Sequence, residues 1–333
     1  MCISCYAAME SGKDLEPFKY DAKELAPKEI TIDITHCGVC HSDVHLVDND
    51  WGLSEYPMVP GHEIVGTVSA LGSAVTNLKV GDRVGVGGQC GACHQCDYCA
   101  AGLDVFCSSP AYTAIHSYGG FATKINVDGG FAHPIPDSIS SEVAAPLLCA
   151  GITTFTPFYR HVNATSKVGI IGVGGLGHVG LQYARAFGCE VTAFSTSASK
   201  EAEAKEYGAD HFVVTKDEKQ MEAAAASQDF ILSTVSADLD WGPYLNALKP
   251  GGTICVVGVG ETISIPAVPM IFGQKSVISS LIGNRSDFKE MLEFSARHNI
   301  APKVEVIPMS KAAEAIKRVR TEKLAHRIVL ANE

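Results

Sequence analysis

Positive charge is scarce in this chain: 26 lysines and arginines stand against 37 aspartates and glutamates, a formal net charge of −11 over 333 residues. A duplex nucleic-acid partner would need a broad basic face, so that class of function is set aside. Uninterrupted apolar runs are missing too. The most apolar stretch, 168–181, is broken by repeated glycines and by His178, which argues against a membrane span. The amino terminus, MCISCYAAMESGKDLEP, lacks a basic start followed by an apolar block, so no secretory signal is read there and a cytoplasmic setting is expected. Internal repeats and low-complexity tracts are absent as well. Without export, twelve cysteines read as reduced thiols and metal ligands rather than as a disulfide framework.

What the sequence does have is a cysteine knot of composition at 90–107, CGACHQCDYCAAGLDVFC, with five cysteines in eighteen residues. Cys93, Cys96, Cys99 and Cys107 follow the spacing C-x2-C-x2-C-x7-C. Four thiolates at such short intervals can close a tetrahedron around zinc, and a site so saturated shapes a loop without doing chemistry. Cys90 breaks the even spacing and reads as a spare thiol. No Lys or Arg lies between Cys90 and Cys107, so a zinc-ribbon module that grips nucleic acid is a poor alternative.

The length allows two domains, each with its own core. Up to about residue 150 the pattern is of short strands and turns. Residues 28–36 alternate apolar and polar, 64–71 form another strand, and 77–88 carry a Gly-Asp turn between short apolar runs, a hairpin signature. A helix is expected only at 141–148. From Lys167 on, strands and helices alternate, which predicts a parallel doubly wound sheet. Helix, strand, helix and strand then close the chain at 287–298, 303–307, 310–322 and 327–330.

Gly172, Gly174 and Gly177 form a G-x-G-x-x-G turn that follows a strand and opens a helix, with Gly175 and Leu176 inside it. That context lets a pyrophosphate approach the free N–H groups of a helix start. At the end of the next strand, where an NAD site usually places an acid for the ribose 2′-OH, stand Ser195, Thr196 and Ser197, with Lys200 beyond. Hydroxyls and a lysine suit a 2′-phosphate, so NADP(H) is the expected cofactor.

Cys40, His62 and Cys149 lie far apart, and spacing alone does not join them. The motifs GVCHSDVH, YPMVPGHEIVGTV, the four-cysteine loop, PLLCAGITTF and GVGGLGHVGLQYARAFG together resemble the zinc-dependent medium-chain alcohol dehydrogenases, in particular the cinnamyl alcohol dehydrogenase-like branch with its NADP-dependent aldehyde reductases. The resemblance runs over nearly the whole chain. It implies an α/β protein with a chaperonin-10-like (GroES-like) β-rich catalytic domain at 1–151 and 286–333 and a Rossmann domain at 152–285. It further implies two zinc ions per chain. One is held by Cys93, Cys96, Cys99 and Cys107. The other, catalytic ion is held by Cys40, His62 and Cys149, with Glu63 as a fourth ligand or trading with water, and with Asp43 orienting His62.

The same resemblance gives Ser42 and His45 the role of passing a proton, and sets His41 near the pyrophosphate and Thr153 near the nicotinamide. The implied reaction is reversible hydride transfer between NADPH and aromatic or medium-chain aliphatic aldehydes, in a homodimer or tetramer. Trp51, Tyr112, Leu281 and Ile282 are candidate pocket walls, while the segment 108–118 is shorter than in most such proteins. His178 is as well read as a structural helix residue. A zinc-free quinone or enone reductase on the same fold is the alternative within enzymes, and the cysteine and histidine sets count against it.

Overall fold

Apolar side chains on every second residue make Glu29–Val39 the longest strand of the protein, with Ile30, Ile32 and Ile34 all buried on one face. The computed structural model describes residues 2–260, 262–322, 324 and 326–332. The chain divides into two units, Met1–Ile152 with Ile282–Glu333, and Thr153–Leu281.

In the first unit β1 (Cys2–Ala7) and β2 (Glu16–Asp21) form an antiparallel ribbon. β3 (Glu29–Val39) pairs antiparallel with β4 (Ile64–Leu71), which pairs with β5 (Arg83–Val86). A small sheet joins β6 (Gln89–Gly91) to β7 (Ala111–Tyr112). β8 (Lys124–Asp128) returns to β3, and β9 (His133–Pro134) to β5. The Gly81–Asp82 turn leads into β5 but joins no second strand. Its N–H groups instead bond Val68 and Lys79, so the expected local hairpin is replaced by a β4–β5 pairing across a longer loop.

Two helices depart from the expectation. α1 (His41–Asp48) was not anticipated. It starts because the Asp43 carboxylate accepts the Cys40 backbone N–H at 2.9 Å, a cap built on a cysteine where Ser, Thr, Asp or Asn would have been legible. It ends at Asn49 in the left-handed conformation, φ 56°, and a single-turn helix, α2 (Asp97–Ala100), follows within the four-cysteine loop. The helix expected over 141–148 begins as α3 (Ser141–Pro146), passes through a π-turn at Leu147–Gly151 and continues as α4 (Ile152–His161). Cys149 therefore lies in mid-helix on the π-turn, a distortion frequent at functional sites.

The second unit is a six-stranded parallel sheet. Its strands are β10 (Lys167–Ile171), β11 (Glu190–Ser195), β12 (His211–Val214), β13 (Gln228–Ser233), β14 (Leu248–Val256) and β15 (Ser276–Ser279). The order β12-β11-β10-β13-β14-β15 is that of a doubly wound dinucleotide fold. The intervening helices are α5 (Gly177–Ala186), α6 (Glu201–Glu206), α7 (Glu218–Ala223), α8 (Trp241–Ala247) and α9 (Ala267–Gly273). α9 and β15 had no clear periodic signal, and α9 buries none of its residues fully.

The tail rejoins the first unit. α10 (Arg285–His298) leads to β16 (Val304–Pro308), α11 (Ala312–Thr321) and β17 (Arg327–Ala331). β17 pairs antiparallel with β3, and β16 lies parallel beside it at the sheet edge. Among the described residues no helix is long and apolar enough to cross a membrane.

Candidate active site and metal centres

Three elements of the first unit converge on one buried point. Cys40 is the junction of β3 and α1, His62 and Glu63 directly precede β4, and Cys149 comes from the π-turn. One donor atom from each of the four lies within 4.8 Å of the others. Cys40 Sγ and Cys149 Sγ are 3.9 Å apart, and His62 Nε2 is 3.4 Å from Cys149 Sγ. A tetrahedral zinc with Zn–S of about 2.3 Å and Zn–N of about 2.0 Å spans edges of roughly 3.8 Å and 3.5 Å, so these donors already stand at coordination spacing.

Asp43 organises the group. It is fully buried; its Oδ1 accepts from Gly61 N at 2.8 Å and sits 2.9 Å from His62 Nδ1. With the Nδ1 proton committed to that carboxylate, Nε2 faces the sulfurs, and its lone pair would serve a metal ion that takes the place of its proton. Burial works against a charged imidazole, but the Asp43 charge and hydrogen bond outweigh it and hold the His62 pKa well above normal. The Cys40 thiol is pulled well below its usual range by the Cys149 thiol, by Arg327 and by His62.

Glu63 is wholly buried and ion-paired through Oε1 to Arg327 Nη2. Its Oε2 has no partner among the described residues. Burial, against the pull of Arg327, raises this carboxyl to about 7. Glycine at 38 is required here, since a Cβ would lie 1.9 Å from Glu63 Oε2. An orphaned carboxylate oxygen beside two thiols and an imidazole is a donor set that a zinc ion would satisfy.

α1 carries the residues assigned to proton transfer, Ser42 in its first turn and His45 in its last. Ser42 Oγ is 3.8 Å from Cys40 Sγ. His45 Nδ1 is 2.7 Å from Asp50 Oδ2, and its ring lies 5.1 Å from that of Trp51. His41 is exposed at the start of the helix. Asp50 and Arg327 were missed in the sequence. Asp50 follows His45 by five residues across a helix end, outside any motif, and Arg327 is 264 residues from Glu63.

The four-cysteine loop gathers as spaced. Cys93, Cys96, Cys99 and Cys107 bring their sulfurs within 4.8 Å of one another, with Cys93 and Cys99 at 4.0 Å. Backbone N–H groups point at the sulfurs: Cys96 N to Cys93, Cys93 N to Cys107 and Ser109 N to Cys107, at 3.3–3.4 Å. Such donors stabilise thiolates, and those of Ser108 and Cys99 lower the Cys96 thiol to about 6. Asp104, at the end of the loop, is bound in a fork by Arg285 Nε and Nη2, both at 2.9 Å, and Val105 N donates to Asn284 Oδ1. Cys90 stays outside the cluster, buried against Ser117 at 3.5 Å.

In the second unit, Gly172 adopts φ 90° and Gly177 comes so close that a Cβ would meet Gly172 O at 1.8 Å, so both positions demand glycine. Gly174, Gly175 and Leu176 fill the turn between β10 and α5. His178 Nδ1 is bonded to Gly174 O at 2.9 Å, in keeping with a role in fixing the turn. Ser195 ends β11 buried, while Thr196 and Ser197 are exposed. Lys200 Nζ is 2.7 Å from Glu203 Oε2. Thr153 is buried near the start of α4. Of the pocket candidates, Trp51, Tyr112 and Ile282 are half-buried and Leu281 is exposed.

Comparison with known proteins bears on both units. Residues 26–137 match the family of the alcohol dehydrogenase GroES-like domain, and residues 175–297 the zinc-binding dehydrogenase family. The chain is 41% identical to the aldehyde reductase AdhA of Synechocystis sp., over 99% of each chain. It is similar in structure to a cinnamyl alcohol dehydrogenase of Sorghum bicolor, with TM-score 0.95, 37% identity and 99% and 98% of the two chains covered. It is also similar to the Helicobacter pylori CAD solved in complex with NADP(H), with TM-score 0.89, 30% identity and 99% and 98% covered.

Proposed function

Since the chain belongs to the zinc-binding medium-chain alcohol dehydrogenases, in their cinnamyl alcohol dehydrogenase and aldehyde reductase branch, we propose that it is a zinc-dependent, NADP(H)-linked aldehyde reductase for aromatic and medium-chain aliphatic aldehydes. The observation that carries this reading is the buried convergence of Cys40, His62, Cys149 and the orphaned Glu63 oxygen. When bound, zinc supplies Lewis-acid polarisation of a carbonyl, and the reduced nicotinamide supplies the hydride.

The chain's own residues do the rest. Cys40, His62 and Cys149 would hold the ion. Asp43 keeps His62 in the tautomer that presents Nε2. Ser42 gives its hydroxyl proton toward the forming alcohol, and His45, poised by Asp50, resupplies it. Glu63, held through one oxygen by Arg327, would offer its other oxygen as a further donor to the ion. The four cysteines at 93–107 hold a second zinc that stiffens their loop. The twelve thiols, all free, suit a cytoplasmic enzyme.

The glycine turn at Gly172–Gly177, with Thr153, receives the dinucleotide, and Ser195, Thr196, Ser197 and Lys200 receive the 2′-phosphate. Supporting this is the absence of an acid at the end of β11. A homodimer is proposed through β15, whose outer edge pairs with no strand among the described residues, beside the exposed side chains of Val268, Ile271 and Phe272 on α9.

The test is metal analysis of the purified protein together with benzaldehyde reduction by NADPH and NADH. Two zinc ions per chain and a preference for NADPH are expected; no bound zinc in an active protein would overturn the reading. Thr196→Asp places a carboxylate where the phosphate is expected. It should lower the NADPH-to-NADH ratio of kcat/KM by about tenfold or more.

A further inference from the structure

We infer that Glu203 sets how strongly this chain discriminates a 2′-phosphorylated dinucleotide from its unphosphorylated counterpart. The inference rests on the cofactor assignment above and deepens it. After β11 the chain presents the exposed hydroxyls of Thr196, Ser197 and Ser199, with the last two oxygens 2.8 Å apart. Lys200 is the only cation from 195 to 204. It is already matched: Nζ lies 2.7 Å from Glu203 Oε2, and the two side chains are only 27% and 19% exposed. The neighbouring acid, Glu201, is occupied by Lys205 at 2.7 Å on the exposed face. The cation that would meet the phosphate thus starts out neutralised, on the more covered side of α6.

A lysine ammonium has three donors, so Lys200 can serve Glu203 and a phosphate together. A phosphate oxygen bonded to Nζ would then lie no more than about 5.5 Å from Glu203 Oε2, two hydrogen bonds end to end. At that distance a carboxylate repels a near-dianion and is indifferent to a neutral ribose hydroxyl. Glu203 therefore holds Lys200 in place and subtracts from phosphate affinity. The size of the NADPH preference becomes a property of the pair.

The experiment measures kcat/KM for NADPH and NADH with benzaldehyde, and the affinity for 2′,5′-ADP and 5′-AMP. It uses the full-length protein as wild type, Glu203→Gln, Lys200→Met and the double variant. Glu203→Gln should raise the NADPH-to-NADH ratio about three- to tenfold, less at high salt, with a parallel gain for 2′,5′-ADP over 5′-AMP. Lys200→Met should lower the ratio, and Glu203→Gln should still raise it in that background, because the carboxylate repels the phosphate directly. If Lys200→Met lowers the ratio but Glu203→Gln leaves it unchanged or reduces it, the role of Glu203 is overturned while the cofactor assignment stands. Equal changes for both cofactors in Glu203→Gln would point to a repacked turn and overturn it as well. If Lys200→Met does not move the ratio, the phosphate assignment itself falls, and this inference with it.

Discussion

Two cysteine-rich clusters in the same unit are built in opposite ways. The loop at 93–107 draws all four sulfurs from fifteen residues, and its sulfurs receive hydrogen bonds from the backbone of that segment and of Ser109 just beyond it. The cluster at Cys40, His62, Glu63 and Cys149 spans more than a hundred positions. Its supports are side chains from elsewhere: Asp43 beneath His62 and Arg327 against Glu63. A local, saturated cluster can be lost without disturbing chemistry carried out elsewhere. A dispersed cluster with a spare donor depends on the packing of the whole unit, and that dependence lets it leave a ligand position open.

Breaking the dispersed cluster should have the largest effect. Cys40→Ser is expected to reduce benzaldehyde turnover by at least about 10³-fold, several kcal/mol of lost transition-state stabilisation. The protein should still fold and bind NADPH, as circular dichroism and nucleotide fluorescence titration would show; retained turnover would remove Cys40 from the metal. Asp43→Asn keeps the shape but weakens the hold on His62. Zinc affinity should fall by about 10- to 100-fold, measured by competition with a chelator, and activity should return at high zinc.

The local cluster should respond in stability instead. Cys96→Ser should halve the zinc content and lower Tm by about 5–10 °C, a loss of a few kcal/mol. Specific activity of the surviving protein should hold within about threefold. A fall in turnover as deep as that of Cys40→Ser would erase the distinction between the clusters.

A smaller effect sharpens the picture of the helix that braces the loop. Beyond Arg285, α10 stacks Phe288 on His133, ring centroids 4.4 Å apart. Burial, helped by Arg285, depresses the His133 imidazole to about 3. Its folded pKa lies below the unfolded value of about 6.5. Neutral His133 therefore contributes stability above pH 6.5 that drains away as pH falls toward 3, at most about 5 kcal/mol in full. His133→Leu should flatten the fall of Tm between pH 6.5 and 4.5; an unaltered slope would place the acid sensitivity elsewhere.

The structure also shows why some elements were legible and others were not. The doubly wound sheet could be read because its first five strands contain short apolar runs bounded by turns, and because Gly172 and Gly177 are dictated by the backbone itself. α1 was missed because its cap is Asp43 acting on Cys40, while the same carboxylate serves His62. The run through Cys149 looked like a helix end because Pro146 and a glycine flank it. The π-turn instead absorbs the irregularity and carries the helix on. α9 gave no amphipathic signal because Val268, Ile271 and Phe272 face outward, and β15 offers only two apolar residues, Val277 and Ile278, both half-buried.

By itself the sequence determined the fold class, the cysteine loop and the glycine turn, because each is written in neighbouring residues whose spacing and backbone needs leave few solutions. Only the tertiary structure could bring Cys40, His62 and Cys149 to coordination spacing, set Arg327 against Glu63 and tie Asp50 to His45. Those meetings follow from β3, α1, the π-turn and β17 packing as one unit, and no local pattern encodes a contact between chain segments so far apart.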